Sequence, residues 1–186
     1  DRAVIEIMLA SGSRPGAVEN MKMVDMDAIL KANPDGTETA YFTARRIVGE
    51  GEVATAPIPV MAHRVERVQE ALNDFKLIRN DPEYFPRYGK KLLASEPDDP
   101  AFWYASKNNH TSKRLQAYRK VFTDLENLPD RADQLRPLVA TRMLLADNVD
   151  LRTISQQLGH SSVTVTLNHY IRDFGLDLTS ISNLMA

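Results

Sequence analysis

Apolar residues open the chain in a helical rhythm. Over 3–9, Val4, Ile5, Ile7, Met8 and Leu9 wrap most of a helical cylinder, so the spacing predicts a well-buried helix. SGSRPG ends it, with Gly12 suited to a C-cap and Pro15 placed to start a second helix over 16–20. From Lys22 to Val60 the pattern changes: MVDMDAIL, ETAYFTARRIV and VATAPIPV read as three strands, joined by turns at NPDG and GEG. Helical periodicity returns over 63–77 through Val65, Val68, Ala71, Leu72 and Phe75. The stretch 79–110 is the least regular, and Pro82, Pro86, Pro97, Pro100 and the acidic SEPDDP mark an exposed connection. Further helices are predicted over 112–125, 134–146, 151–158 and 162–170, with a short last one over 177–185. The expected fold class is α+β and mainly helical, with a small three-stranded antiparallel sheet near the N-terminus.

Composition narrows the class without naming a chemistry. The 186 residues suit one domain, and 43% hydrophobic with 26% charged residues is an ordinary soluble balance. No apolar run approaches the roughly 18 residues that would span a bilayer. The opening DRAVIEIMLA has helical spacing and lacks the basic start of a signal peptide, so it reads as a domain cut from a longer protein. There are no cysteines, which excludes disulfides and thiolate metal sites; a cytoplasmic location is the default expectation. The net charge of −2 argues against a nucleic-acid partner unless the charges are segregated. Segregation is visible: Lys107, Lys113, Arg114, Arg119 and Lys120 fall in one stretch, while Asp35, Glu38, Glu50, Glu52, Glu96, Asp98 and Asp99 lie in expected loops.

The segment LGHSSVTVTLNHYIRDF, 158–174, carries the most chemical information. Gly159 breaks a helix, so His160 sits at a turn and opens the next one. Tyr170 follows ten residues later, close to three helical turns, and returns near the same face. Both could address one substrate atom; a capping His and a packing Tyr is the plainer alternative. Two arginines also stand out. Arg14 lies at a helix–helix corner between Gly12 and Pro15, and Arg136 opens the apolar helix LRPLVATRMLL, where the helix dipole favours an anion over a cation. A cation there either pairs with a carboxylate or awaits a bound anion, and the planar guanidinium suits bidentate phosphate contact. Among the remaining candidates, His63 and His110 read as exposed helix ends, and Phe102, Trp103 and Tyr104 as core. The last helix, with Leu176, Leu178, Ile181 and Leu184, can pack on a neighbouring subunit or fold back on its own domain.

Taken together, these segments resemble the catalytic domain of the tyrosine recombinases of phage-integrase type. Ala10-Ser11-Gly12-Ser13-Arg14-Pro15-Gly16 looks like their first arginine box, T-G-x-R, and Asp133-Gln134-Leu135-Arg136 falls where their H-x-L-R box belongs. Leu158-Gly159-His160-Ser161-Ser162 matches their L-G-H-S-S box, and Tyr170 stands at the nucleophile position. The resemblance covers essentially the whole chain, 1–186, without the N-terminal core-binding domain that completes the family's clamp on DNA. It implies strand cleavage and rejoining without metal or other cofactor. Tyr170 would attack the scissile phosphate to give a 3′-phosphotyrosyl link, Arg14 and Arg136 would clamp the non-bridging oxygens, and His160 would hydrogen-bond the phosphate or manage the tyrosine proton. The implied partners are double-stranded DNA, touched also by Arg45, Arg46, Lys113, Arg114 and Asp133, and three further copies in a tetramer on paired sites, with the isolated domain a monomer.

Two positions depart from the family pattern. Asp133 stands where the second box begins with His, and an aspartate repels a phosphate unless protonated or paired. The hairpin segment 45–53 contains no Lys, whereas the family carries one there that resembles a general acid for the leaving 5′-hydroxyl. Arg45 and Arg46 do not replace it chemically, because a guanidinium hardly gives up a proton at neutral pH. The sequence therefore supports a recombinase or, alternatively, a degenerate relative that binds DNA or a partner recombinase without cleaving.

Overall fold

A computed structural model describes residues 2–35, 37, 39–48, 52–80, 97–98, 101–102, 134–145, 149–160 and 162–174. Within these, the backbone alone is described at 44–48, 52–56, 79–80 and 169–174. The elements are helices α1 (Arg2–Ser11), α2 (Pro15–Glu19) and α3 (Met23–Lys31), strands β1 (Tyr41–Val48) and β2 (Glu52–Pro59), and a 3-10 turn (Ala62–Arg64) leading into α4 (Val65–Asn80). Helices α5 (Leu135–Leu144), α6 (Leu151–Leu158) and α7 (Val163–Phe174) complete the described set. None of these helices is long and apolar enough to cross a membrane.

Helix α1 is the axis of the core. Every residue from Ala3 to Ser11 is buried, as its all-round apolar pattern requires, and it packs against α2, α4 and α5. One carboxylate is buried with it. Glu6 is 1% exposed and receives Arg67 Nε at 2.8 Å and Arg64 Nη1 at 3.5 Å, which ties α1 to the start of α4. Burial lowers the Arg64 guanidinium from its ordinary value, and the Glu6 charge opposes that shift. Phe102 packs on Phe75 with ring centroids 5.1 Å apart, so this part of the aromatic cluster is core; Trp103 and Tyr104 lie outside the described residues. His63 is exposed at the 3-10 turn, and His110 is outside the described residues.

The expected three-stranded sheet is corrected at its first strand. Residues 23–31 form helix α3, and the sheet among the described residues has two antiparallel strands, with Tyr41 facing Pro59 and Val48 facing Glu52. The reason is legible in hindsight: Met23, Met26 and Ile29 are buried at a spacing of three, a helical period that the intervening apolar residues hid. Asp25 consolidates the helix start. Its Oδ2 accepts from the Lys22 N–H at 3.1 Å, and its Oδ1 accepts from the Thr43 N–H at 2.9 Å, which docks α3 on β1. On the hairpin, the paired Phe42 and Ile58 face the core.

Among the described residues of the second half, three short helices follow. Helix α6 starts at an Asp150 cap, whose Oδ1 accepts from the Thr153 N–H at 2.7 Å, and ends at Gly159 with φ of +64°. Leu151, Ile154 and Leu158 of α6 bury against Ala140 of α5, with Val163 and Leu167 of α7 packed on them. The expected helices over 134–146 and 151–158 are present, and the last of this group runs on to Phe174. Those expected over 112–125 and 177–185 fall outside the described residues.

The Asp150 cap generates a pH prediction. The Thr153 backbone hydrogen bond lowers its carboxyl below the ordinary value. A group whose folded value is depressed stabilises above its unfolded value, about 4, and that contribution is lost as pH falls through the folded value. Asp150→Asn keeps a capping oxygen without the titration. Its urea midpoint is expected to lie below that of the wild type near neutral pH, with the gap closing between roughly pH 5 and pH 2; a gap independent of pH would contradict this role.

Candidate active site

Helix α1 ends inside the molecule, where its last carbonyls have no water to turn to. Three donors from three elements meet them. The Met61 N–H, just after β2, donates to the Ala10 carbonyl at 2.8 Å. Gln157 Nε2 of α6 donates to the Ser11 carbonyl at 3.0 Å, and Arg136 Nη1 of α5 donates to the Gly12 carbonyl at 3.0 Å. The same two side chains reach a second acceptor each: Gln157 Nε2 donates to the Pro59 carbonyl at 2.8 Å, and Arg136 Nη2 to the Leu158 carbonyl at 2.7 Å. One amide and one guanidinium thereby join the ends of α1, β2 and α6 to the start of α5.

Arg136 was singled out because a cation at the N-terminal end of a helix sits badly with that helix's dipole. Its guanidinium resolves this by reaching away, to the carbonyl ends of α1 and α6, where partial negative charge collects. These acceptors are backbone carbonyls, a third possibility beside the carboxylate and the bound anion weighed from sequence. Pro137 follows in the first turn of α5, where a missing N–H costs nothing.

Two left-handed glycines make the approach possible. Gly12 has φ of +65°, and a Cβ built on it would stand 2.8 Å from Leu158 Cδ2 and 3.2 Å from Val139 Cγ1. Gly159, with φ of +64°, ends α6: its N–H donates to the Gln156 carbonyl, and the His160 N–H to the Ser155 carbonyl, each at 2.9 Å. Ser11 Oγ accepts from the Ser13 N–H at 3.2 Å, shaping the loop that leads to Arg14.

Arg14 itself is exposed, at the N-cap position of α2, with extended backbone ahead of Pro15. Among the described residues it has no ion-pair partner. His160 is half-buried, and its Nδ1 lies 2.7 Å from Oγ1 of the fully buried Thr166. The structure therefore brings the first and third boxes together through the arginine of the second. Position 170 lies in α7, one helical turn beyond Thr166, and the Tyr170 side chain is outside the described residues. Arg45 and Arg46 lie on β1 opposite Thr55 and Ala54; their side chains, the turn 49–51, Lys113, Arg114 and Asp133 are outside the described residues as well.

Gln157 and Thr166 are the two site residues that sequence reading missed. Each is a polar residue beside an apolar stripe, Gln157 next to Ile154 and Leu158, and Thr166 next to Val163 and Leu167. That is the one signal available for them in the sequence, since a polar group at a core position needs a partner.

No family model matches the chain, and no curated protein matches it. Among solved structures it is similar to XerA recombinase, with a TM-score of 0.53 and 20% identity over 97% of this chain and 54% of that one. It is also similar to the XerH site-specific recombinase bound to its difH substrate in a pre-cleavage complex, with a TM-score of 0.51 and 17% identity over 96% of this chain and 45% of that one. The chain has a tyrosine recombinase-like fold. It spans about half the length of the two recombinases. Within this recombinase-like fold, Gly12, Arg136 and Leu158 are distant in sequence and joined in space.

Gly12 should tolerate no side chain. Gly12→Ala combines positive φ with a clash against Leu158 and is expected to cost about 2–4 kcal/mol of unfolding free energy in urea. Gly16→Ala, helical and with nothing within 4 Å of the added Cβ, is expected to be neutral or to stabilise by up to about 1 kcal/mol. Equal effects at the two glycines would mean that the close approach of α1 and α6 is wrong.

Proposed function

We propose that this chain is the catalytic domain, 1–186, of a site-specific DNA recombinase that cuts and rejoins strands through a 3′-phosphotyrosyl intermediate. The observation that carries this reading is the Arg136 fork between Gly12 and Leu158, two residues from Arg14 on one side and two from His160 on the other. Tyr170 Oη bonds to the scissile phosphorus as the bond to the 5′-oxygen breaks; the tyrosine gives its proton to water and the leaving oxygen takes one from water, so it departs as a hydroxyl with no net change in protons. Arg14 and Arg136 stabilise the charge that grows on the non-bridging oxygens. A 5′-hydroxyl of a second strand then attacks the phosphotyrosine and releases Tyr170. The link conserves bond energy, so no ATP is consumed, and no cofactor is assigned. The partner is double-stranded DNA, with Arg45, Arg46, Lys113 and Arg114 as backbone contacts and a homotetramer on paired sites as the working assembly. In phage or mobile-element terms the outcome is DNA integration or excision.

A second reading is favoured by two features of the sequence. Asp133 replaces the His of the second box, and the hairpin 45–53 lacks a Lys, so two groups that would serve proton transfer are missing. Each such group is typically worth ~10²–10⁴-fold in rate. A relative that binds DNA or a partner recombinase without cutting fits that loss.

Relaxation of supercoiled plasmid, with SDS trapping of protein–DNA adducts, separates the two. The cleaving reading expects a slow covalent adduct with the wild type and none with Tyr170→Phe. DNA retention that weakens steeply with salt, with no adduct on DNA carrying a recombination site, would establish the non-cutting reading instead.

A further inference from the structure

The contact between His160 and Thr166 decides a question that the mechanism leaves open, namely which imidazole nitrogen carries the proton. Thr166 is fully buried in the first turns of α7, and His160 Nδ1 lies 2.7 Å from its Oγ1. Among the described residues this is the hydroxyl's one hydrogen-bond partner. Threonines in helices often donate to the carbonyl one turn back, but no such bond is formed here among the described residues.

A hydroxyl has one proton to place. If the imidazole donated through Nδ1–H, the Thr166 proton would be left in the core without an acceptor, and an unmade buried donor costs free energy that a made hydrogen bond does not return. The arrangement that satisfies both groups has the Thr166 O–H donating to a bare Nδ1. The proton of the neutral ring then rests on Nε2, because which nitrogen is protonated is set by the bond the other one makes.

We propose that Thr166 is a positioning residue that holds His160 in its Nε2–H form. Within the recombinase reading above, an Nε2–H ring serves as a donor and not as the base that takes the tyrosine proton. The Thr166 assignment itself rests on the buried contact and does not depend on that reading. Because α7 also carries position 170, one element both fixes the histidine tautomer and presents the nucleophile's backbone.

Long-range nitrogen–proton NMR on the histidine-labelled chain in mildly alkaline buffer reads the tautomer directly, with His160→Gln assigning the signal among four histidines. The wild type is expected to show the Nε2–H form at His160. Thr166→Val, close in shape and lacking the hydroxyl, is expected to mix the two tautomers and to slow adduct formation roughly tenfold, in a chain that still folds cooperatively with a modestly lower thermal midpoint. Thr166→Ser is expected to restore both. An Nδ1–H ring in the wild type would overturn the proposal, as would a Thr166→Val chain that keeps both tautomer and rate. An Nε2–H ring in a chain that forms no adduct would uphold the Thr166 assignment and count against the cleavage reading alone.

Discussion

A helix that ends in the interior must find donors for its last carbonyls, and the rest of this molecule is arranged around that need at the end of α1. Ala10, Ser11 and Gly12 expose their carbonyls where no water reaches, and the chain supplies Met61, Gln157 and Arg136 to meet them. The three donors lie up to about 150 residues in sequence from the carbonyls they meet, so satisfying one helix end fixes the relative placement of the hairpin, α5 and α6. Leaving any of these carbonyls unmet would cost about 1–3 kcal/mol, comparable to a large fraction of a domain's net stability. Such a constraint specifies a geometry more sharply than apolar packing does, because hydrogen bonds are directional.

The same constraint explains why a guanidinium sits here. Carbonyl ends of two helices, α1 and α6, bring partial negative charge to one place. The Arg136 guanidinium takes one N–H from each terminal nitrogen to these carbonyls and places its positive charge over them. A lysine, with a single ammonium on a flexible stem, would not span both acceptors in a fixed plane. Arg14 lies two residues beyond Gly12 on the exposed corner that Pro15 stiffens, so the positive charge of the site is partly structural and partly solvent-facing. The left-handed turn at Gly159 then sets His160 beside the joint, and Thr166 orients its ring.

How much of this was readable depended on which physical signal a residue leaves in the sequence. Helix α1 and its Gly12 stop, the Pro15 start, and α6 with its Gly159 stop all follow from apolar spacing and turn chemistry, and all are present. The segment 23–31 misled because Met23, Val24, Met26, Ala28, Ile29 and Leu30 place apolar residues at both strand and helix spacings; of the two Asp25 hydrogen bonds that hold the helix in place, one comes from Thr43, a partner eighteen residues away. Arg14, Arg136 and His160 draw attention in the sequence because their residue types are unusual where they stand. Gln157 and Thr166 do not, because their hydrogen bonds go to acceptors outside their own helices, and periodicity carries no record of those.

The joint itself is open to direct measurement through a double-mutant cycle on unfolding free energy, with Arg136→Met and Gln157→Leu made singly and together. Both side chains hold α6 and α5 onto the end of α1, so the loss of one loosens the seat of the other. The double variant is therefore expected to be less destabilised than the sum of the singles by about 0.5–2 kcal/mol. Strict additivity would show that the two residues act on separate structures, and that the motifs do not share one joint.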